Sequence, residues 1–264
     1  MSPLPYLLRI LTSGLLFTPI LAYAILHERP VSVPDIASRQ DLYQVPYNGR
    51  FTFTRIRYGF GGFGSRQGSR WGWSSAWNHD YPQADRNMQF ILEEYTGIQP
   101  NTEGSNVLDL EDPRIFQHPI LYMSEPGFWT VTEEGALNLR TFLLKGGFLI
   151  FDDFELEQWN NMATQVQRAL PEYRWVDIDE AHPIFGSFFR VEDIYVPHPL
   201  VRVTPNYRAI FEDNDPTKRI MVLANHNSDL AEYWEWSGDG FFPVDPTNDA
   251  FRLGVNSIVY AMMH

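Results

Sequence analysis

The stretch Gly146-Gly147-Phe148-Leu149-Ile150-Phe151-Asp152-Asp153-Phe154 decides how the rest of this chain is read. Paired glycines suit the end of a helix, where a left-handed residue closes the last turn. The apolar run that follows has no polar break. A strand that is apolar on both faces belongs to a parallel sheet covered by helices on each side. In open sheets of that kind, ligands sit just beyond the carboxyl ends of the strands. Asp152 and Asp153 therefore mark a candidate site. Adjacent side chains on a strand point to opposite faces, so one carboxylate is expected in the cleft while the other caps a helix.

Working outward, strand and helix patterns alternate. Residues 51–58 alternate as a strand, and a glycine-rich loop follows over 59–72. Met88, Ile91, Leu92 and Tyr95 share one helical face in 85–95. Short apolar runs at 107–110 and 120–123 read as strands. Thr132 caps a helix, with Glu133 and Glu134 in its favourable first turn and Gly146 at its end. Residues 158–170 form the next helix, stopped by Pro171. A strand over 220–224 and a helix over 249–263 close the chain. This alternation implies crossover units. The expected fold is one α/β domain over 51–264, a three-layer sandwich with a mainly parallel sheet. The proline-rich stretch 173–214 is expected to decorate the carboxyl edge.

The N-terminus carries a different signal. Arg9 precedes an apolar run, and Ala22-Tyr23-Ala24 supplies an A-x-A cleavage site, the pattern of a secretory signal over 1–24. An uncleaved anchor is the other reading, because the run from Ile10 to Leu26 is borderline in length for a span. Either implies export, to the periplasm or beyond, with membrane contact only through that segment. Pro30, Pro34 and Pro46 mark 25–50 as an extended linker.

Composition narrows the function classes. The 264 residues are 44% hydrophobic, enough for a full core, and carry a formal net charge of −13. Lys145 and Lys218 are the only lysines. No basic patch is visible, which argues against nucleic acid and anionic lipid as partners. The absence of cysteine removes disulfides, thiolate metal sites and a cysteine nucleophile.

Asp152 and Asp153, with His182, are the candidate catalytic groups, as hard-cation ligands or a general base. His226 follows the strand over 220–224, so a metal site combining Asp152, His182 and His226 is one expectation. No recognised ligand spacing such as H-E-x-x-H identifies a metal, and nothing specifies a cofactor. Trp71, Trp73, Trp77, Asp80 and Tyr81 lie beside the glycine-rich loop, and Tyr233-Trp234-Glu235-Trp236 lies near the other end. Loop aromatics beside carboxylates suit a sugar ligand or a protein anchor; packing against the core is the plain alternative. The glycine-rich loop lacks both the G-x-G-x-x-G form and the P-loop lysine, and reads as a binding lid or a plain loop.

Several pieces in order resemble a known family. They are Phe53-Thr54-Arg55-Ile56-Arg57-Tyr58, Asp80-Tyr81-Pro82 with Asp85, His118-Pro119-Ile120-Leu121-Tyr122-Met123, the stretch from Gly146 to Phe154, His182-Pro183-Ile184-Phe185, Phe251-Arg252-Leu253-Gly254-Val255-Asn256, Tyr260-Ala261 and His264. Together they resemble the bacterial domain-of-unknown-function family 4159. That resemblance implies a class I glutamine amidotransferase-like, flavodoxin-like sandwich, and hints at a cell-envelope partner. The segment from His182 to Tyr195 is similar to the trehalose-utilisation (ThuA-like) proteins, which implies a ligand role for Asp193 and Tyr195. Amidotransferases need a cysteine on a tight turn after a strand, and this chain has none. Ser124 is the nearest substitute, but Tyr122-Met123-Ser124-Glu125-Pro126 is not a G-x-S-x-G elbow. Two readings result: a ligand-binding or envelope-interaction protein, and a hydrolase of a carbohydrate or related substrate, assisted by metal.

Overall fold

The computed structural model describes residues 45–59, 73–191 and 193–264. The expected signal segment and most of the glycine-rich loop, with Trp71, lie outside the described residues, as does the side chain of Trp73. The strands are β1 (Thr54–Ile56), β2 (Asn106–Leu108), β3 (Ile120–Ser124), β4 (Phe148–Phe154), β5 (Val176–Ile178), β6 (Asn206–Phe211) and β7 (Ile220–His226). They form one sheet in the order β2-β1-β3-β4-β7-β6-β5. β2, β1, β3, β4 and β7 run parallel, while β6 pairs antiparallel with β7 and β5 pairs antiparallel with β6 at the sheet edge.

The α-helices are α1 (Gln83–Tyr95), α2 (Glu133–Leu144), α3 (Gln158–Ala169), α4 (Leu230–Glu235) and α5 (Val244–Met263). α1, α4 and α5 cover one face of the sheet, where Met88, Leu92, Trp234, Phe251 and Val255 pack on Phe53, Tyr122, Ile150 and Leu223. α2 and α3 cover the other, where Leu139, Leu143, Met162 and Val166 pack on Ile56, Leu121, Leu149 and Phe151. Both faces of β4 are thus buried over its whole length. The result is a three-layer α/β sandwich. Each fully buried large apolar side chain contributes about 1.5–3 kcal/mol. No helix among the described residues is long and apolar enough to cross a membrane.

Local chemistry explains the joints. Thr132 Oγ accepts from Gly135 N at 2.9 Å, capping α2. Gly146 follows α2 at φ +109°, a conformation that glycine adopts without penalty. At Gly254 on α5 an added Cβ would lie 2.5 Å from Met88 Cε and 2.6 Å from Trp234 Cζ2. The glycine lets α1, α4 and α5 meet closely.

Three expectations change. The stretch 173–214 does more than decorate an edge, since it supplies β5 and β6. Its prolines hid a real alternation: Tyr207 and Ala209 are buried while Asn206 and Arg208 are half-buried. An Arg208–Asp177 ion pair at 2.7 Å joins the two strands. α5 starts at Val244 rather than 249, because Pro246 falls in the first turn, where no backbone donor is needed. β4 continues through both aspartates to Phe154, and that extension builds the site.

A candidate metal centre at the carboxyl edge

β3, β4 and β7 end side by side, with Ser124 opposite Asp152 and Phe154 opposite His226. Between Phe151 and Phe154, β4 shifts register against β7, and Asp153 takes φ +59°. A bulge of this kind re-aims side chains. Asp152 points inward and is fully buried. Its Oδ2 accepts from Leu230 N at 3.0 Å, Ala231 N at 3.1 Å and Tyr122 OH at 3.0 Å. Its Oδ1 accepts from Asn225 Nδ2 at 3.1 Å. Asp152 therefore anchors the start of α4. Its lone pairs are committed to the protein itself.

Asp153 faces the cleft. Its Oδ2 accepts from Ser124 Oγ at 3.2 Å and lies 2.8 Å from His79 Nδ1. His79 is held from behind by Arg55 on β1. The buried guanidinium donates to the carbonyls of Trp77 at 3.1 Å and His79 at 2.7 Å, and pairs with Asp85 at 2.7 Å. Asp80 Oδ1 stands 3.5 Å from His79 Nδ1, and Glu125 Oε1 stands 4.0 Å from it. Asp229 caps α4 by accepting from Glu232 N at 3.0 Å, which places both acids at the cluster. Ligand atoms of His79, Asp153 and Asp229 all lie within 4.8 Å of one another, as do those of His79, Asp80 and Glu232.

Two features separate this cluster from an ordinary acidic surface. The first is the backbone. Asp80, Glu125 and Asp153 have φ of +61°, +47° and +59°. Such conformations cost non-glycine residues about 1–3 kcal/mol each and persist only where the surroundings over-determine them. The second is Asp80. Its side chain is fully buried, and no neutral donor among the described residues serves its carboxylate: its polar neighbours are His79 Nδ1 at 3.5 Å and a second acid, Glu232, whose hydrogen bond raises the Asp80 pKa further. Buried polar atoms are nearly always paired, so these oxygens are acceptors waiting for a cation or proton.

The electrostatics agree. Burial, then the charge of Asp153, pushes Asp229 well above the usual carboxylate range. The same causes act on Asp80. Burial and Asp153 raise Glu125 to about 8. Burial and Asp153 also raise Asp152 to about 7, against the hydrogen bonds from Asn225, Tyr122 and Ala231. Burial alone would lower His79, but the hydrogen bond and charge of Asp153, with Asp229 and Glu125, outweigh it and hold His79 up at about 10. A protonated imidazole thus sits where the carboxylates demand positive charge.

Of the residues singled out from sequence, Asp153 and Asp80 face each other across His79, with Asp152 directly beneath. Trp77 is buried and serves Arg55 through its carbonyl. Tyr81 packs at 6.0 Å from the Trp77 ring. Asp152, His182 and His226 do not converge. His182 packs on Phe211 and Tyr260 and lines a hollow with Lys218, Arg219 and His264. That hollow lies by the start of β7, the opposite edge of the sheet from Asp152. Five residues of strand, about 16 Å, separate the two ends. His226 turns to the other face, stacking near Phe154 and Trp159 at 5.2 Å from each, with Nε2 on Leu156 O. Asp193 closes a local turn by accepting from Tyr195 N at 2.8 Å, and Tyr195 is exposed. Ser124 is fully buried and donates to Asp153, a poor position for a nucleophile. Sequence reasoning missed His79, Glu125, Asp229 and Glu232 as site residues. Two signals were present: the tandem His79-Asp80 ahead of a helix, and Asp229-x-x-Glu232 at another helix start.

The sequence matches the family described as domain of unknown function (DUF4159) over residues 52–262. The chain belongs to this family. The matched region includes every strand, helices α1 to α4, α5 up to its last residue, and the whole acidic cluster. A comparison with curated proteins finds no match.

Proposed function

We propose that the carboxyl-edge cluster is a divalent-cation centre, held by His79, Asp153 and Asp229 with Asp80 and Glu232 completing it, and that this member of the family is an exported protein that binds an oxygen-bearing ligand through that cation. The observation that carries the reading is Asp80, a fully buried carboxylate whose polar neighbours are His79 Nδ1 at 3.5 Å and a second acid, Glu232, with ligand atoms of all three within 4.8 Å of one another. Carboxylates mixed with imidazole suit Mn²⁺ or Zn²⁺ better than Ca²⁺. When bound, the cation would neutralise the cluster and polarise a ligand oxygen. The protein's own part is to fix the ligands: Arg55 holds the His79 and Trp77 carbonyls, Asp152 holds the start of α4, and the bulge aims Asp153. The N-terminal charged, apolar and A-x-A pattern supports the exported setting.

One observation favours a hydrolytic version. Glu125 sits on a left-handed turn after β3, within 4.0 Å of His79 Nδ1. Burial and Asp153 place its proton affinity near neutral pH, at about 8, where a carboxyl can give and take a proton. Tyr58 OH donates to the carbonyl of Glu125 at 2.7 Å and steadies the turn.

Titration with Mn²⁺ by calorimetry tests the proposal. One cation per chain is expected in the wild type and in His182→Ala, with at least tenfold weaker binding in Asp153→Asn and Asp229→Asn. Binding that is unaffected in both asparagine variants would refute it.

A further inference from the structure

Beneath the starts of β1, β3 and β4, at the edge of the sheet opposite the acidic cluster, lies a hollow of about 740 Å³. Small-molecule pockets fall in this size range. Its walls come from the segment ahead of β1, the turn ahead of β3, the turn between α2 and β4, and the end of α5.

Two properties set these walls apart from the rest of the surface. The first is charge. Acidic residues outnumber Lys and Arg by 33 to 20 in the chain, yet no lining residue is acidic, while Arg50 and Lys145 both line the hollow and are exposed. Other basic side chains at this edge are already used. Lys218 pairs with Asp213 at 2.6 Å, and Arg219 donates to the carbonyls of Gly147 at 3.1 Å and Leu143 at 2.6 Å. Arg50 and Lys145 make no side-chain hydrogen bond or ion pair among the described residues. The second property is apolar exposure. Tyr47 is 55% exposed, Phe116 44% and Met262 46%. The Tyr47 ring stands edge-on to His118 at 6.2 Å. Large apolar side chains left open together mark a binding surface. Free cations beside open rings describe a ligand with one anionic group and one flat apolar body.

We propose that this hollow is a second binding site, and that its ligand is a small aromatic anion of the aryl carboxylate class. Arg50 and Lys145 hold the acid group, and Phe116 and Tyr47 receive the ring. The assignment rests on charge complementarity: two cations without protein partners, and no carboxylate on the walls to compete with the ligand. The site is independent of the cation centre, because it lies at the other edge of the sheet and its recognition needs no metal. No basic run announces it in the sequence, since Arg50 and Lys145 are 145 − 50 = 95 positions apart.

Calorimetric titration of the metal-free full chain with 2-naphthoate tests the proposal, beside two comparison probes. 2-Naphthamide keeps the rings and lacks the charge. Octanoate keeps the charge and lacks the rings. 2-Naphthoate is expected to bind once per chain, about fivefold tighter than either comparison probe. Arg50→Ala and Lys145→Ala should each weaken it by about threefold, the size of one exposed charge pair, and the double variant by about tenfold. Phe116→Ser should weaken it by about fivefold through lost apolar contact. Lys218→Ala, in the neighbouring hollow, should leave the affinity within about twofold of wild type. All four positions are exposed, so each variant is expected to fold, and a melting curve checks it. Equal affinity for 2-naphthoate and 2-naphthamide would overturn the proposal. So would unchanged affinity in the double variant, octanoate binding as tightly as 2-naphthoate, or no binding of 2-naphthoate to the wild type at millimolar concentration.

Discussion

Raising the pH of the chelator-treated protein from 6.5 to 8 removes protons from carboxyls that the fold holds unusually tightly. Asp152 is raised from 3.8 to about 7 by burial and Asp153, and Glu125 is raised from 4.5 to about 8 by the same causes. Unfolded, both groups are already ionised throughout this window, so the folded chain binds more protons and stability falls as pH rises. His79, held at about 10, pushes the same way. Burial acts oppositely on His118, lowered to about 4, and on His182, His198 and His226. Those rings add stability as pH rises, and because unfolded histidine is still half protonated at about 6.5, the last part of that gain extends to about 7.5 and offsets part of the loss from His79. Above about 7.5 the cluster alone sets the slope. A tenfold change in proton affinity is worth about 1.4 kcal/mol, so Asp152 and Glu125 together destabilise the metal-free fold by about 2 kcal/mol between pH 6.5 and 8. For a chain of this size that is a fall in Tm of about 4–8 °C. Differential scanning fluorimetry at four pH values measures it. Glu125→Gln should flatten the fall by about half, and Mn²⁺ should reverse it, because a cation on Asp153 neutralises the charge that helps raise Asp152 and Glu125. A Tm that stays level or rises over this window in the chelated wild type would refute the reasoning.

Arg55→Leu leaves the Asp85 carboxylate buried without its partner and frees the His79 and Trp77 carbonyls. A loss of about 3–5 kcal/mol is expected by urea unfolding, and a loss under 1 kcal/mol would contradict the role given to the pair. Asp152→Asn cannot accept from Tyr122, Asn225 and the α4 amides with the same strength; it should lower stability by about 1–3 kcal/mol and weaken Mn²⁺ binding through the displaced Asp229 and Glu232. Unchanged Mn²⁺ affinity would detach Asp152 from the site. Mass spectrometry of exported material should find a mature chain starting at Ile25, and an intact N-terminus in a membrane fraction would favour an anchor over cleavage.

Much of this organisation was legible in particular residues. Thr132, Gly146 and Pro171 are local signals, and they marked the ends of α2 and α3 because capping and chain-breaking depend on nearest neighbours. The apolar run from Phe148 announced a parallel strand, and Asp152 and Asp153 were recognised as acids at its carboxyl edge. The convergence itself was not legible. Asp80, Glu125, Asp153 and Asp229 come from four separate segments of the chain, brought together by strand order rather than by spacing. The bulge that separates Asp152 from Asp153 arises from pairing with β7, more than seventy residues later in the chain. His182 misled for a related reason. Its motif gives extended backbone before Pro183, but nothing local says at which edge of the sheet the loop returns.

The central claim is that three chain segments, the loop at His79 and Asp80, the end of β4 at Asp153 and the start of α4 at Asp229 and Glu232, converge to hold one divalent cation. Crystals of the chain soaked in Mn²⁺ and measured at the manganese absorption edge test it directly. The account predicts one anomalous peak per chain, bonded to His79, Asp153 and Asp229. A peak beside His182 and His264, or none at the carboxyl edge with Mn²⁺ in excess, would contradict it.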